Sequence, residues 1–289
     1  MSGFPVLISS VNRVSANRYQ LSLPNSTDLN EFSVSVGQAY IYYSWYNINS
    51  YPLNNNQFTL IIPGMANQVV IIPDGAYNIS DLNNYLQYWF IQNGLFITNT
   101  TSGINTYYAS FTVSPTSYQV QLTTTVIPGS LPAGTTTGGA NMTAAFANSA
   151  GLKHMQIVIA ATNNLKDIFG FNAGTYPTLA TGNPAIYTKA SDYTPNVNPI
   201  NAVQMRLSCA YNTFSANSTL IHVFTTTDAS IGQQIDASPS ELQFVPCIGS
   251  HKDITLSFYD QSGNILNILD PNLVIKLIFQ KNSNALPTV

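Results

Sequence analysis

The residues that could carry out chemistry are few and widely spaced. Histidine occurs three times, at His154, His222 and His251, without the HxxxH or HxH spacing typical of metal ligands. The two cysteines, Cys209 and Cys247, also lack metal-site spacing, so we expect buried free thiols, and a disulfide between them stays open. Nucleophile-elbow, phosphate-loop and dinucleotide motifs do not occur in the sequence. The sequence therefore predicts no catalytic residue, no cofactor and no metal site.

Carboxylates are the remaining candidates for catalysis. Asp253, Asp260 and Asp270 bracket two strand-like segments near the end of the sequence. A glycosidase needs two carboxylates that face each other across a cleft, and the sequence leaves that arrangement open. Roles in turns and at strand ends explain these residues more simply. We therefore expect a protein that is not an enzyme, with a hydrolase as the third hypothesis, because a fold does not dictate function.

The composition is unusually poor in charge. Only 7% of the residues are charged, against about 25% in ordinary soluble domains. Because 45% are hydrophobic, the chain is expected to fold rather than to stay disordered. A net charge of −3 without a run of Lys or Arg argues against nucleic-acid binding, which needs a clustered positive surface. Such a neutral surface offers little repulsion between copies, so it suits a protein covered by neighbours as well as a neutral β-protein.

Hydropathy predicts neither a membrane span nor a secretory signal. Apolar runs stay well short of the ~20 residues that a membrane-spanning helix needs. The first residues do not show a basic segment followed by an apolar one, which is the pattern of a signal peptide.

The elements that would position these side chains are mostly strands. In the C-terminal stretch, Ile254, Leu256 and Phe258 alternate with polar residues, the period of a strand with one buried face. After a turn at 260–264, the segment 273–280 is apolar on nearly both faces. We expect that second strand to lie inside a two-sheet structure rather than at an exposed edge.

One amphipathic helix is predicted at about residues 80–93. Its apolar residues recur at i, i+3, i+4, i+7 and i+8, which places them in one stripe: they are Leu82, Tyr85, Leu86, Trp89 and Phe90. Ser80 is the expected N-cap, and Gly94 suits the position after the C-cap. A stripe of this kind is typical of a helix that docks on a sheet.

The remaining pattern gives about a dozen short strands separated by Pro- and Gly-rich turns. There is no alternation of strands with helices and no repeat of fixed period. The predicted fold class is all-β, a sandwich or barrel, forming one domain over 1–289. Two long loops are expected, at about 128–145 and 174–200.

Four segments resemble the small jelly-roll capsid proteins of virophages, polinton-like viruses and related large DNA viruses. They are YYSWYNI (42–48), IPDGAYNISDLNNYLQ (72–87), IFGFNAGTYP (168–177) and HKDITLSFYDQSGNILNILDPNLVIKLIFQ (251–280). The resemblance implies a single jelly-roll sandwich with extra hairpins and loops.

The same resemblance implies a structural function. Family members form the pentameric vertices of icosahedral capsids, called pentons, or act as minor capsid proteins. It implies a homopentamer in contact with a neighbouring major capsid protein, located in the virion and assembled inside the host cell. Vertex and non-vertex roles are both open.

Five aromatic residues are candidate subunit contacts: Tyr42, Tyr43, Trp45, Tyr107 and Tyr108. Tyrosine supplies a large contact area at a low cost in conformational entropy. The alternative, that these rings simply cover the core of their own chain, is equally open. A second functional hypothesis is a carbohydrate- or receptor-binding β-module in which exposed aromatics such as Trp45 or Trp89 stack on sugar rings, although the helix stripe already explains Trp89.

Overall fold

The structure, a computed structural model, describes residues 3–150, 152–226, 229 and 231–282. The chain divides into two compact units, unit 1 from Met1–Trp45 and Ile200–Val289, and unit 2 from Tyr46–Pro199. In sequence, unit 2 is thus an insertion into unit 1. One domain over 1–289 was expected from the sequence, and whether the two units act as a single domain stays a prediction.

Antiparallel strands are the main secondary structure. In chain order they are β1 (Gly3–Ser9), β2 (Arg13–Ser15), β3 (Arg18–Asp28), β4 (Phe32–Tyr42), β5 (Gln57–Ile61), β6 (Gln68–Ile71), β7 (Ile97–Asn99), β8 (Asn105–Thr106), β9 (Ala109–Val113), β10 (Val120–Ile127), β11 (Thr135–Thr137), β12 (Lys153–His154), β13 (Gln156–Ile159), β14 (Gly174–Tyr176), β15 (Ile186–Ala190), β16 (Ala202–Leu207), β17 (Leu220–Thr225), β18 (Gln234–Asp236), β19 (Val245–Pro246), β20 (Ser250–Asp260) and β21 (Val274–Lys281). The helices are a 3-10 turn (Ser10–Asn12), α1 (Ile79–Gln92), α2 (Ala140–Ala147) and α3 (Leu165–Phe169).

Unit 1 is a jelly roll by strand order. One sheet runs β1-β21-β4-β18, with β19 also pairing with β4, and the other runs β17-β16-β20-β3-β2. If β1, β3, β4, β16, β17, β18, β20 and β21 are lettered B to I in chain order, the sheets read B-I-D-G and C-H-E-F. These are the two sheets of a jelly roll. The predicted fold class is confirmed, with β2 and β19 as additions.

The core of unit 1 follows the alternation read from the sequence. On β20, Ile254, Leu256 and Phe258 are buried, as predicted. On β21, Ile275, Leu277 and Phe279 point inward while their neighbours are only partly covered. Because β21 lies between β1 and β4, it is an interior strand, which also confirms the prediction for 273–280.

Unit 2 combines three small sheets with the three α-helices. The sheets are β14-β13-β5-β6, then β12-β10-β15 with β9 on β10, and β11-β7-β8. Its aromatic core includes a stack of Phe111 on Phe169 with ring centroids 4.3 Å apart, and Phe58 meets Phe111 edge-on at 6.0 Å. The long-loop predictions were wrong in part, since β11 and most of α2 lie in 128–145, and β14 and β15 lie in 174–200. These segments are rich in Thr and Gly, which are typical of loops, so the short paired strands within them were not predicted.

Helix α1 is present but begins earlier than predicted. Asn78, not Ser80, is the N-cap: its side-chain oxygen accepts from the Asp81 backbone N–H at 2.9 Å, and the Asp81 carboxylate accepts from the Asn78 N–H at 3.0 Å. This reciprocal capping box satisfies two helix-end donors. Docking on strands is confirmed, because the Asn83 side chain accepts from the Phe111 N–H on β9 and the Tyr85 hydroxyl donates to the Ile71 carbonyl on β6.

A buried carboxylate fastens the loop between β20 and β21 to the end of β4. Asp270 is fully buried, and its two oxygens accept from the Tyr42 N–H at 2.7 Å and the Asn272 N–H at 2.6 Å. Hydrogen bonds to an ionised acceptor are stronger than neutral ones. Asp270 therefore has the turn role that the sequence favoured over catalysis.

Replacing Asp270 with Ala should lower the free energy of unfolding by about 3 kcal/mol, because two backbone N–H groups would lose their acceptor in a buried place. Denaturant unfolding followed by tryptophan fluorescence measures the change. Asp270→Asn is the matched control, since its amide oxygen retains one acceptor and should cost less. Equal stability of the Ala variant and the parent would contradict this role.

Candidate subunit-contact surfaces

The predicted aromatic contact residues divide into buried and half-buried groups. Tyr43 and Trp45 are each 1% exposed, with ring centroids 4.4 Å apart, and Tyr108 is 5% exposed. These three side chains are covered by their own chain and offer no area to a neighbour. For them the core alternative left open by the sequence is correct. Tyr42 and Tyr107 are half-buried, and their role as contacts stays a prediction.

The two tryptophans do not form an exposed sugar-stacking surface. Trp45 is buried, and its indole N–H has no hydrogen-bond partner among the described residues. Trp89 is partly buried on α1, where its ring meets Phe90 edge-on at 5.9 Å. The carbohydrate hypothesis in the form that relied on Trp45 is wrong, because a covered ring cannot stack on a sugar.

An exposed apolar surface of unit 1 lies on the N-terminal segment. There β1 and β2 are the end strands of their sheets, joined by the 3-10 turn. Four apolar side chains on this segment are exposed: Phe4 (36%), Leu7 (59%), Val11 (89%) and Val14 (59%). Exposed apolar side chains on the end strands of sheets are typical of interaction sites. We call this set, with Arg13, the arm surface.

A second surface lies at the other end strands, β17 and β18. It combines exposed apolar residues, Val223 (44%), Leu242 (49%) and Phe244 (37%), with the exposed acids Asp236 and Glu241. A depression of about 480 Å³ opens between β17 and the segment 236–243. We call this set the acidic surface.

The two surfaces lie on opposite sides of the sandwich. Since β1 and β2 end the two sheets at one side, and β18 and β17 end them at the other, the strand order separates the arm surface from the acidic surface. Contacts between the two sheets join β1 to β3 and β17 to β4. The end strands β1 and β2 therefore lie at one side of the sandwich, and β17 and β18 lie at the other. One unit therefore presents two different edges.

The charges on the two surfaces have opposite sign. No Asp or Glu precedes Asp28 in the sequence, so Arg13 is the only charged side chain of the segment 3–15 that forms the arm surface. No Lys or Arg lies between Arg206 and Lys252, a stretch that contains Asp236 and Glu241. Hydrogen bonds from Ser238 hold the pKa of Asp236 below its usual value, so this acid is charged at neutral pH.

His222 joins the two sheets at the acidic surface. Its Nε2 lies 2.9 Å from the Ala237 carbonyl oxygen, which follows β18, while the residue itself belongs to β17. Burial lowers the pKa of His222 from 6.5, and the hydrogen bond to Ala237 opposes that change. The neutral ring with its proton on Nε2 is the form that fits this place.

The cysteines and His154 lie in buried surroundings of structural character. Cys209 and Cys247 are both buried free thiols, as the sequence suggested. Their sulfur atoms lie 3.9 Å apart. The hydrogen bond between them and burial raise the pKa of Cys247. His154 is buried and bonded to the Thr124 hydroxyl at 3.0 Å, a structural role. Groups of three or more metal-ligating side chains are absent from the described ranges.

No helix among the described residues has the length and apolarity to cross a membrane.

Sequence reasoning missed both edge surfaces. The segment Phe4–Ser9 was recognisable as a strand, but nothing in one sequence says that its outward residues stay uncovered. A usable signal was present at Leu7, an apolar residue that does not fit the inward alternation of β1. For the acidic surface, the signal was the absence of Lys and Arg over a long stretch.

Solved structures that are similar over nearly the whole chain include the following two. One is a crystal structure of the selenomethionine-labelled mavirus penton protein, with 13% identity, a TM-score of 0.44, and 97% of this chain and 99% of that chain covered. The other is the 3.5 Å cryo-electron microscopy structure of the Sputnik virophage, with 15% identity, a TM-score of 0.43 and 98% of both chains covered. No protein-family model and no curated protein matches the sequence. The jelly-roll assignment rests on the strand order of unit 1.

Trp45→Ala should lower the free energy of unfolding by about 3–5 kcal/mol, the usual cost of removing a buried aromatic side chain. Trp45→Phe should cost less, since the indole N–H makes no hydrogen bond that would be lost. Thermal and denaturant unfolding of the two variants measure the difference. A Trp45→Ala variant as stable as the parent would show that the ring is not part of the core.

Stability should fall as the pH drops from about 6.5 towards 5. In this window the unfolded chain protonates His222 while the folded chain resists, because its pKa is lowered, so the unfolded state binds more protons. The stability that the neutral ring contributes is present above 6.5 and is lost as the pH falls through the lower pKa of the folded state. His222→Gln, which can still donate to Ala237, should flatten the dependence in this window, and an unchanged slope would contradict the assignment.

Proposed function

We propose that this chain is a structural capsid subunit whose jelly-roll units associate side by side in a closed ring, as the vertex protein of an icosahedral DNA virus or virophage. The observation that carries the proposal is the pair of unlike edges on unit 1. The arm surface is apolar with Arg13, and the acidic surface is apolar with Asp236 and Glu241.

Unlike edges favour a ring over a simple dimer. A twofold dimer would place each surface against its own copy, acid on acid at one edge. Joining the arm surface of one copy to the acidic surface of the next pairs Arg13 with carboxylates and covers apolar side chains on both sides. Such a head-to-tail contact closes into a ring when its rotation permits.

The energetics suit a contact made mainly by apolar burial. Burial of exposed side chains such as Leu7, Val11 and Val223 would stabilise the contact by about 25 cal/mol for each Å² of apolar area removed from water. Few charges must be desolvated when the contact closes, and those present have opposite partners. The end strands also present sheet edges that a neighbour would cover.

The copy number and the neighbours come from the resemblance of the four sequence segments to capsid proteins. It supports five copies in the ring, contact with a major capsid protein, a place in the virion shell, assembly inside the host cell and no enzymatic activity. A minor capsid protein away from the vertex is the alternative. It would use the same edges without closing into five.

Edge variants distinguish a head-to-tail ring from other assemblies. Leu7→Asp blocks the arm surface, and Val223→Asp blocks the acidic surface, so each variant alone should stay monomeric where the parent forms a ring. Mixed together, each supplies the edge that the other lacks, so assembly should stop at a dimer containing one of each. Native mass spectrometry and sedimentation measure the masses.

The matched control is Val113→Asp, which adds the same charge at an exposed valine of unit 2 and should leave the ring intact. A parent that stays monomeric at every concentration, or a mixture that reaches the mass of the full ring, would overturn the proposed contact.

Charge reversal tests the polarity of the same contact. Arg13→Glu and Glu241→Arg should each weaken association about tenfold or more, because each places like charges together. The double variant should recover most of the loss, since the pair is restored in the opposite sense. Additive losses in the double variant would mean that the two residues do not meet.

A further inference from the structure

Two of the three arginines of this chain lie on the same face of the same sheet. Arg18 on β3 and Arg206 on β16 are both register partners of Ser257, which lies on β20 between those strands. All three side chains belong to the outer face, because Tyr19, Met205 and Leu256, the alternate residues, are buried in the core. The α-carbons of the two arginines are thus about 10 Å apart, two strand spacings.

A depression of about 280 Å³ lies at this row of residues. Arg18, Arg206, Ser257 and Tyr259 line it, and its other lining residues are Leu207, Ser208, Thr219 and Thr255. Its volume is just below the range of pockets for drug-sized ligands. It is large enough for one sugar ring rather than an extended ligand.

Arg206 is held rigidly by uncharged partners. Its guanidinium lies 3.9 Å above the Tyr259 ring and donates to the Gln204 side-chain oxygen from Nη2 at 2.7 Å. With the Asn217 amide turned so that its oxygen faces the arginine, Nη1 and Nη2 donate to it at 2.8 and 2.7 Å. Since each of these nitrogens carries two hydrogens, one N–H on Nη1 remains for a ligand.

Arg18 has its full set of donors available. It is exposed, and within the described ranges it has neither a side-chain hydrogen bond nor an ion pair; the two ion pairs there are Lys189–Asp192 and Lys281–Glu31. Two guanidinium groups that face one depression without a carboxylate repel each other, and an anion between them removes that repulsion.

Of the five hydroxyl side chains that line the depression, only that of Ser208 has a partner within the described residues, since it accepts from the Thr255 N–H at 2.9 Å. The side-chain hydroxyls of Thr219, Thr255, Ser257 and Tyr259 have no hydrogen-bond partner in the part of the chain that is described. Hydroxyls both donate and accept, so they match the hydroxyl groups of a saccharide better than they match a bare anion, which only accepts.

We propose that this depression binds an anionic sugar, a sulfated or carboxylated unit of a glycan. The acidic group would lie between Arg18 and the free Nη1–H of Arg206, and the sugar hydroxyls would meet Thr219, Thr255 and Tyr259. This site is separate from the ring contact through Arg13 and from the two tryptophans that the sequence suggested for sugar stacking.

A glycan array carrying sulfated, sialylated and uncharged members of the same backbones tests the proposal with the intact chain. Acidic glycans should bind and their uncharged counterparts should not. Arg18→Gln, at an exposed residue without protein partners, should weaken binding about tenfold, the scale of one charge-assisted contact. Lys252→Gln is the matched control, because it removes one exposed positive charge from β20 of the same sheet.

Competition experiments identify what is recognised. Arg206→Lys retains the charge but not the stacked planar group, so it should bind less well than the parent while its thermal unfolding reports any change in the fold. Equal competition by inorganic sulfate at the same anion concentration would overturn the sugar assignment in favour of an isolated anion. Equal competition by a polyglutamate peptide would overturn it in favour of an acidic protein partner. Unchanged glycan binding by Arg18→Gln would overturn the site itself.

Discussion

The pairing of β21 with strands on both of its sides is the interaction on which unit 1 depends. It pairs with β1 from Gly3 to Ser9, and with β4 from Phe32 to Tyr40. Those partners come from the start of the chain, while β21 comes from its end, so the sheet closes only when both are present. Asp270 adds a second link between the same regions, because its carboxylate holds the Tyr42 N–H.

This pairing also determines which strands are left at the edges. Once β21 is interior, β1 must end its sheet on one side and β18 on the other. The second sheet, which follows the same jelly-roll order, ends at β2 and β17. The arm surface and the acidic surface are therefore consequences of topology, and the 154-residue insertion of unit 2 (46–199) between β4 and β16 leaves the order unchanged.

The sequence predicted the parts of the fold that depend on local alternation. The inward faces of β20 and β21 and the apolar stripe of α1 were readable because each repeats with the period of its element. The cap at Asn78 was missed, since Ser80 is an equally good capping residue and only the reciprocal bond with Asp81 decides between them. No composition change marks Trp45 or Ile200, where the two compact units meet in sequence, so the sequence did not indicate these positions.

The candidate site was less predictable than the fold for a physical reason. Tyr42 and Tyr43 are neighbours in sequence with the same chemistry, yet Tyr42, the last residue of β4, is half-buried and Tyr43 is buried. Exposure at an edge depends on pairing between distant segments, as it does for Leu7. Arg18, Ser257 and Arg206 likewise lie on three neighbouring strands from distant parts of the sequence, so no local sequence pattern predicts that they form a row.

The scarcity of charge gives each remaining charge a specific place. Of the acids in unit 1, Asp260 and Asp270 are buried and accept from backbone N–H groups, so they need no cation. Glu31 pairs with Lys281 at 2.8 Å. Other charges lie in separate regions, with Arg13 on the arm surface, Asp236 and Glu241 on the acidic surface, and Arg18 with Arg206 on the outer face of one sheet. In a protein with abundant surface charge, such small differences between faces would be screened or cancelled by neighbours. Here one or two charges are enough to make each face distinct, so a low charge content increases the selectivity of the contacts that the chain forms.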